Sequence, residues 1–524
     1  MTVRRPLSAA VALCLLSVAV AASAEGLTEA QRRGKRIYME GKGRGRIAAF
    51  LAGAGISAPG KGFPCVNCHL AGGEGQREGG VRSADITWFH LTKEYSGRRA
   101  TGRAHPAYTE ETVRAAITKG VDPAGNALDP AHPRYTISRE DLEDLVAYLR
   151  AMDREPVPGV TDNEVRVGVL LPERGPVAEA GTEVRALLAG CFAEVNGRGG
   201  IFGRSLVLVP VPYDPAAEGS ALAAAKRVVG GESVFCFLAN VGVAPGSPAA
   251  LYLADERVPV IVPLLSPSEG GYRADRYTFH VFAGIREQAR VLVDFLAERS
   301  KGAVAKAGIL RSGDRSGEGG AEGVREQAEK NGLAVSAEVT FEPGKLDAAE
   351  AVARLRESGA GAVFYFGGPS EALSFAAESA RLGWEPWFLA PAPMIGSALQ
   401  SSAPARFLDT VYLASPLTVP EPERMAEFLR IGKRYGSGER HRTFQFLAYA
   451  GSLLLEEGLR RAGKGVTRES FVAGIGNVWR LETGVTPPLT YTANQRVGAL
   501  GAVVMKVDPG SRRLVPMTKW REPR

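Results

Sequence analysis

Apolar positions recur at helical spacing over residues 28–39, where Gly34, Ile37 and Tyr38 share one face. Residues 41–62 are rich in glycine and predict a loop. A second helix is predicted over 109–119, followed by a Gly- and Pro-punctuated loop over 120–135. Ser138, with Asp141 three residues on, is placed to cap a third helix whose apolar stripe carries Leu142, Leu145, Val146 and Leu149. Residues 153–163 contain Glu155-Pro156-Val157-Pro158-Gly159 and predict a linker. From residue 164 the period changes. Continuous apolar runs at 165–171, 206–211, 234–238, 260–263, 307–310 and 362–366 alternate with helical stretches at 183–195, 222–229, 291–299, 324–331 and 372–382. Unbroken apolar strands between helices predict parallel sheets covered on both faces. About 360 residues of this pattern exceed one sheet, so two α/β lobes are expected.

Length and charge sharpen this picture. A chain of 524 residues suggests about three compact units, and 45% hydrophobic content supports well-formed cores. The net charge of +7 is spread thinly, with no long Lys/Arg run and no nucleic-acid motif, so nucleic acid is not expected as a partner. Arg4 and Arg5, an apolar stretch over 9–21 and Ala22-Ser23-Ala24 read as a signal peptide over 1–24, cleaved after Ala24. Export to the periplasm is expected. The domain plan is therefore signal peptide 1–24, a helical domain 25–152, a linker 153–163 and a two-lobed domain 164–524. Four cysteines follow the leader: Cys65, Cys68, Cys191 and Cys236. The last two are either a disulfide or two buried free thiols.

Cys65-Val66-Asn67-Cys68-His69 is the attachment signature of a c-type haem. Two thiols one helical turn apart can add to the two vinyl groups of one porphyrin, and the adjacent His69 then becomes the proximal iron ligand. A thioredoxin-like reading would need a strand before the motif and a helix after it, where this chain has Gly-rich flanks. A zinc reading would need two further ligands at suitable spacing. With Gly34 and Tyr38 in the first helix, Gly73 and Gly75 after the motif, and Leu145, Tyr148 and Leu149 in the last helix, residues 27–152 resemble a class I cytochrome c. The run Ala116-Ile117, Gly120-Val121-Asp122-Pro123 and Pro133-Arg134-Tyr135 is similar to one branch of that family. The resemblance implies an all-α domain with one covalently bound haem c. It also implies Met before Pro-Arg-Tyr as sixth ligand, but this chain has His132 there. An imidazole in that place would give bis-His iron with a lowered potential. His90 and His105 are weaker candidates. Leu70 also departs from the family, which commonly has Gly there.

Residues 164–524 resemble a type I periplasmic solute-binding protein of the leucine/isoleucine/valine-receptor kind. The resemblance rests on Val167-Gly168-Val169-Leu170-Leu171, on Asn196-Gly197 through Gly199-Gly200-Ile201 to Gly203-Arg204, on Val258-Pro259-Val260-Ile261 and on the late helix from Tyr449 to Gly463. It implies an α/β two-lobed fold that closes on a small-molecule solute. Family members hold an amino-acid ligand with small hydroxyl residues in two loops; here those loops align near Gly242-Val243 and Leu264-Leu265-Ser266 and are mostly apolar. An unsatisfied zwitterion is costly, so the ligand is expected not to be a standard amino acid. Tyr365 and Phe366, at a strand end, are candidates to line the cleft. The Gly-rich run 313–323 reads as a flexible loop, without the spacing of a phosphate-binding motif. No catalytic constellation is found, so an electron carrier with a binding module is expected rather than an enzyme. A redox or gas sensor and a haem-relayed oxidoreductase are the alternatives. A periplasmic redox partner and a membrane permease or sensor are the expected protein partners.

Overall fold

The computed structural model describes residues 27–78, 80–94, 103–175, 177–264, 275–417 and 422–524; the signal peptide expected over 1–24 lies outside the described residues. The chain divides after Pro156 into two compact units.

In the first unit, helices Glu29–Glu40, Glu110–Lys119 and Arg139–Ala151 surround a core that includes Ile37, Tyr38, Val66, Val113, Leu145 and Leu149. Each helix starts on a hydroxyl cap: Thr28, Thr109 and Ser138 accept from the backbone N–H three residues on. The first and last helices touch where Gly34 has no side chain. The expected loop 41–62 contains two strands, Ala48–Leu51 and Ile56–Pro59, which form a hairpin; Arg134–Thr136 pairs with its first strand. Four-residue strands are too short to print a period of two above the glycine background. The last helix also differs in which residues it buries: Leu142 is only half-buried, while Asp141 and Asp144 are buried.

Asp144 sits on that helix and accepts from Arg33 Nε at 2.7 Å and Arg44 Nη2 at 2.5 Å. Burial opposes its charge, but the hydrogen bonds and charges of Arg33 and Arg44 outweigh burial and hold the carboxyl below its usual range. A carboxyl depressed in the folded state stabilises it above the unfolded pKa of about 3.9, and that stability is lost as pH falls through the folded value. Asp144→Asn is therefore expected to destabilise the first unit by about 2 kcal/mol at pH 7. In denaturant titrations the gap from wild type should close in acid; a gap that persists at pH 2 would remove the electrostatic account.

The second unit holds two sheets. The first is six-stranded and parallel, in the spatial order Val497–Ala499, Thr278–Phe282, Val260–Ile261, Cys236–Leu238, Glu164–Pro172, Ser205–Tyr213. The second is seven-stranded: Ala334–Phe341, Lys306–Ser312, Ala362–Phe366, Trp387–Pro391 and Val411–Ser415 run parallel, with Val503–Val507 and Leu514–Pro516 antiparallel at one edge. The chain passes between the lobes three times, after Phe282, after Ser415 and between Ala499 and Val503.

Two expectations need correction here. The run 313–323 is no flexible loop: helix Arg315–Asn331 starts on an Asp314 cap and includes most of it. Its glycines permit close approach; a Cβ at Gly320 would lie 2.3 Å from the Phe366 ring, and one at Gly323 would lie 2.3 Å from the Arg286 carbonyl. Tyr365 and Phe366 do not line the cleft. Both are fully buried, because every side chain of strand Ala362–Phe366 lies under a helix layer. The Tyr365 hydroxyl donates to the Gly368 carbonyl at 2.6 Å. Cys191 and Cys236 are buried free thiols in the core of the first lobe.

Candidate functional site

Residues Val66–His69 form one helical turn, with Cys65 at its N-cap position. This places Cys65, Cys68 and His69 on one wall of a cavity of about 1370 Å³, counted out to its mouth. Tyr38, Leu91, Val113, Ile117, Leu145 and Leu149 supply much of the rest, from three helices and a short turn. The cavity is thus largely apolar. Cys65 is half-buried and Cys68 exposed, and neither is in a disulfide. Burial pushes the Cys65 thiol up to about 12, so it lacks the acidic thiol of a redox dithiol pair.

The His69 Nδ1 lies 2.8 Å from the Ala84 carbonyl oxygen. That bond assigns the proton to Nδ1 and leaves Nε2 as a ligand atom. His132 stands opposite: the two ring centroids are 6.4 Å apart with an interplanar angle of 66°. A metal–imidazole bond is about 2.0–2.1 Å. A five-membered ring with C–N bonds of about 1.33 Å has its nitrogens roughly 1.1 Å from its centre. One metal atom between two imidazoles thus implies roughly 6.3 Å between centroids, which the 6.4 Å separation matches. Burial, then the charges of His69, Arg134 and Arg103, hold the His132 imidazole down to about 4, and its Nδ1 is buried without a hydrogen-bond partner. A neutral imidazole with an orphaned nitrogen suits a metal-ligand role. The thiols, the opposed imidazoles and the apolar walls therefore fit a haem.

His90 is taken up by Thr87 and Asp85. His105 lines the cavity, with Nδ1 2.8 Å from the Pro106 carbonyl and its ring edge-on to Tyr108. Among the described residues no three of His, Cys, Asp and Glu gather as a metal cluster. Ala84 had no signal in the sequence, since its contribution is a backbone carbonyl.

Leu70 follows the motif with φ 64° and ψ 175°, a region that is essentially glycine's. The departure from the family pattern thus falls where the backbone favours glycine. The Tyr38 hydroxyl donates to the Leu70 carbonyl at 2.6 Å and holds the turn in place. Leu70→Gly is expected to be about 1–2 kcal/mol more stable than Leu70→Ala, the reverse of the usual order. Thermal melts of the two variants decide it; an alanine variant at least as stable as glycine would show an unstrained turn.

In the second unit, Gly242 has φ 74°, and a Cβ there would come within 2.6 Å of the Tyr213 hydroxyl. Val243 and Leu264 are buried, and Val241 bridges to Leu264. The Tyr213 hydroxyl donates to the Val241 carbonyl at 2.8 Å, and Asn240 Oδ1 accepts from Leu170 N at 2.9 Å. These polar groups are engaged within the protein. Leu265 and Ser266 lie outside the described residues.

A periplasmic binding protein family model matches residues 164–512, and a cytochrome c model matches 58–153. The Leu/Ile/Val/Thr-binding protein of Salmonella typhimurium is 24% identical over 304 residues, 57% of this chain and 80% of that protein. The leucine-, isoleucine-, valine-, threonine- and alanine-binding protein of Pseudomonas aeruginosa is 24% identical over 324 residues, 61% and 84% of the two chains. Among solved structures, a fatty acid ABC transporter substrate-binding protein from Thermomonospora curvata superposes with TM-score 0.53 at 19% identity, covering 70% of this chain and 95% of that one. A leucine binding protein from Thermotoga maritima gives 0.52 at 15%, covering 68% and 99%. These two structures share the fold.

Proposed function

The chain belongs to the periplasmic binding protein family and carries a cytochrome c domain ahead of that unit, and from this premise we propose that it is an exported, periplasmic electron-transfer protein fused to a solute receptor. A cytochrome c domain implies haem. Cys65 and Cys68 hold one haem covalently, His69 is the proximal ligand and His132 the sixth. When bound, the haem supplies a one-electron ferric–ferrous couple. The chain's own residues do the rest. Ala84 fixes the His69 ring through Nδ1. Leu145 and Leu149 keep water from the cavity wall. His132 stays neutral by burial and so keeps a lone pair for the metal. The observation that carries this reading is the pair of imidazoles 6.4 Å apart across the cavity that Cys65 and Cys68 also line. A second imidazole opposite the first favours electron transfer over gas sensing, which needs an open position.

The test is a visible spectrum, oxidised and dithionite-reduced, of protein exported in a host that matures c-type haem. Sharp reduced bands that survive denaturation are expected, and Cys65→Ser with Cys68→Ser should abolish them. Wild-type protein without such bands would overturn the reading.

The receptor unit binds a small molecule that is not a standard amino acid, although two relatives are named for binding leucine, isoleucine and valine. Support comes from loops at 240–243 and 264 whose polar groups bond within the protein. Leucine, isoleucine, valine and threonine should leave its melting temperature unchanged. A bound ligand at a hundred times its Kd would add about 2.7 kcal/mol, so a clear rise with any of the four would refute the assignment. A periplasmic redox partner and a membrane permease or sensor complete the proposed setting.

A further inference from the structure

One hydroxyl ties the loop of His132 to the thiol motif. Phe63 lies two residues ahead of Cys65, and Tyr135 three residues after His132. The Tyr135 hydroxyl donates to the Phe63 carbonyl at 2.6 Å, in a half-buried place where both residues line the cavity. Pro133 stands between His132 and Tyr135 and has a fixed φ, so a shift of Tyr135 passes along a stiff segment to His132. On the motif side, Asn67 N donates to the Pro64 carbonyl at 3.1 Å and His69 N to the Cys65 carbonyl at 2.9 Å. Phe63 is thus the entry to the turn that carries His69.

The hairpin holds the same two loops through backbone bonds. Ala49 in its first strand pairs with Tyr135. Gly53 N, at its turn, donates at 3.2 Å to the carbonyl of Pro130, two residues before His132. Gly60 N, just past its second strand, donates to the Ile47 carbonyl at 2.8 Å, and the chain then leads into Phe63. To these ties Tyr135 adds a side chain, which a substitution can remove without touching the backbone. A metal–imidazole bond of about 2.0–2.1 Å leaves little slack, so the spacing of the two loops decides whether His132 stays bound. We propose that Tyr135 is a positioning residue: its bond to Phe63 latches the His132 loop to the thiol motif and keeps His132 on the iron against a competing small ligand. This rests on the haem reading above. The competition is a plain exchange, in which one imidazole–iron bond breaks, one bond to the incoming ligand forms and no electron is transferred.

The experiment uses the full-length haem-loaded protein, with carbon monoxide as the competing ligand. Tyr135→Phe keeps the ring and removes the hydroxyl. Its low-spin spectrum should remain, while carbon monoxide replaces His132 on the reduced protein about tenfold faster, the effect of one lost hydrogen bond. A purely structural role would lower the melting temperature and leave that rate as in wild type, which overturns the latch. If the variant does not accumulate, wild-type protein carrying isotope-labelled tyrosine decides. A labelled tyrosine band should appear in the infrared difference spectrum when carbon monoxide binds, since the departing His132 pulls on the latch; a spectrum with no such band overturns it. Wild-type protein without covalent haem overturns the earlier reading instead. The latch is then read in the haem-free chain, where Tyr135→Phe should speed amide exchange of His132 about tenfold. An unchanged exchange rate there overturns the latch as well.

Discussion

Replacing His132 with alanine is expected to abolish the low-spin absorption spectrum while covalent haem attachment remains. In the proposed reading attachment depends on Cys65 and Cys68, which the substitution leaves in place, and His69 keeps its bond to Ala84. Loss of the second imidazole leaves five-coordinate or water-ligated iron. His132→Met should restore a low-spin spectrum at a higher potential, because thioether ligation raises it. A rise on the order of 0.1–0.3 V fits within the roughly 0.8 V that axial ligands span. The measurement is a pair of visible spectra and a redox titration for each variant. A low-spin spectrum untouched in the alanine variant would remove His132 from the iron.

Gly34→Ala should prevent the first unit from assembling. By helix propensity alone the change is favourable by about 1 kcal/mol. Packing reverses the sign. The added Cβ would lie 2.0 Å from the Asp144 carbonyl oxygen, 2.7 Å from its carbon and 2.7 Å from Tyr148 Cβ. Backbone on a packed helix cannot step aside as a side-chain tip can, so the helices must separate at a cost of about 3 kcal/mol or more. That is a large fraction of the roughly 5–15 kcal/mol that holds a domain together. Haem yield should collapse while the receptor unit's unfolding transition is unchanged. Normal haem content and an unshifted first transition would mean that the helices do not cross at Gly34.

What could be read from the sequence follows from where the information sits. The helices of the first unit were legible because Thr28 and Ser138 are local caps next to an apolar stripe. The thiols and the two histidines were legible because their chemistry is carried by a few residues at fixed offsets. The hairpin Ala48–Leu51 with Ile56–Pro59 was not, since its stability comes from pairing with Arg134–Thr136, far along the chain. The helix through Gly317 to Gly323 was hidden for the opposite reason. Glycine disfavours helix locally, and only the proximity of Phe366 and the Arg286 backbone explains its use. Tyr365 and Phe366 were misplaced because a strand end reads the same whether its side chains enter a cleft or a helix layer.

The cavity wall also fixes an order of events. Helix Arg139–Ala151 supplies Leu145 and Leu149 to that wall, so the chamber closes only when the chain as far as residue 151 is in place. Cys65 is half-buried once it does. If a haem is attached as proposed, docking of this last helix narrows its way to the half-buried Cys65, so attachment competes with docking of the helix. In chain order the two cysteines precede the helix that helps to bury Cys65. A variant that docks that helix sooner would compete with its own cofactor loading, and a more stable apoprotein would mature less completely.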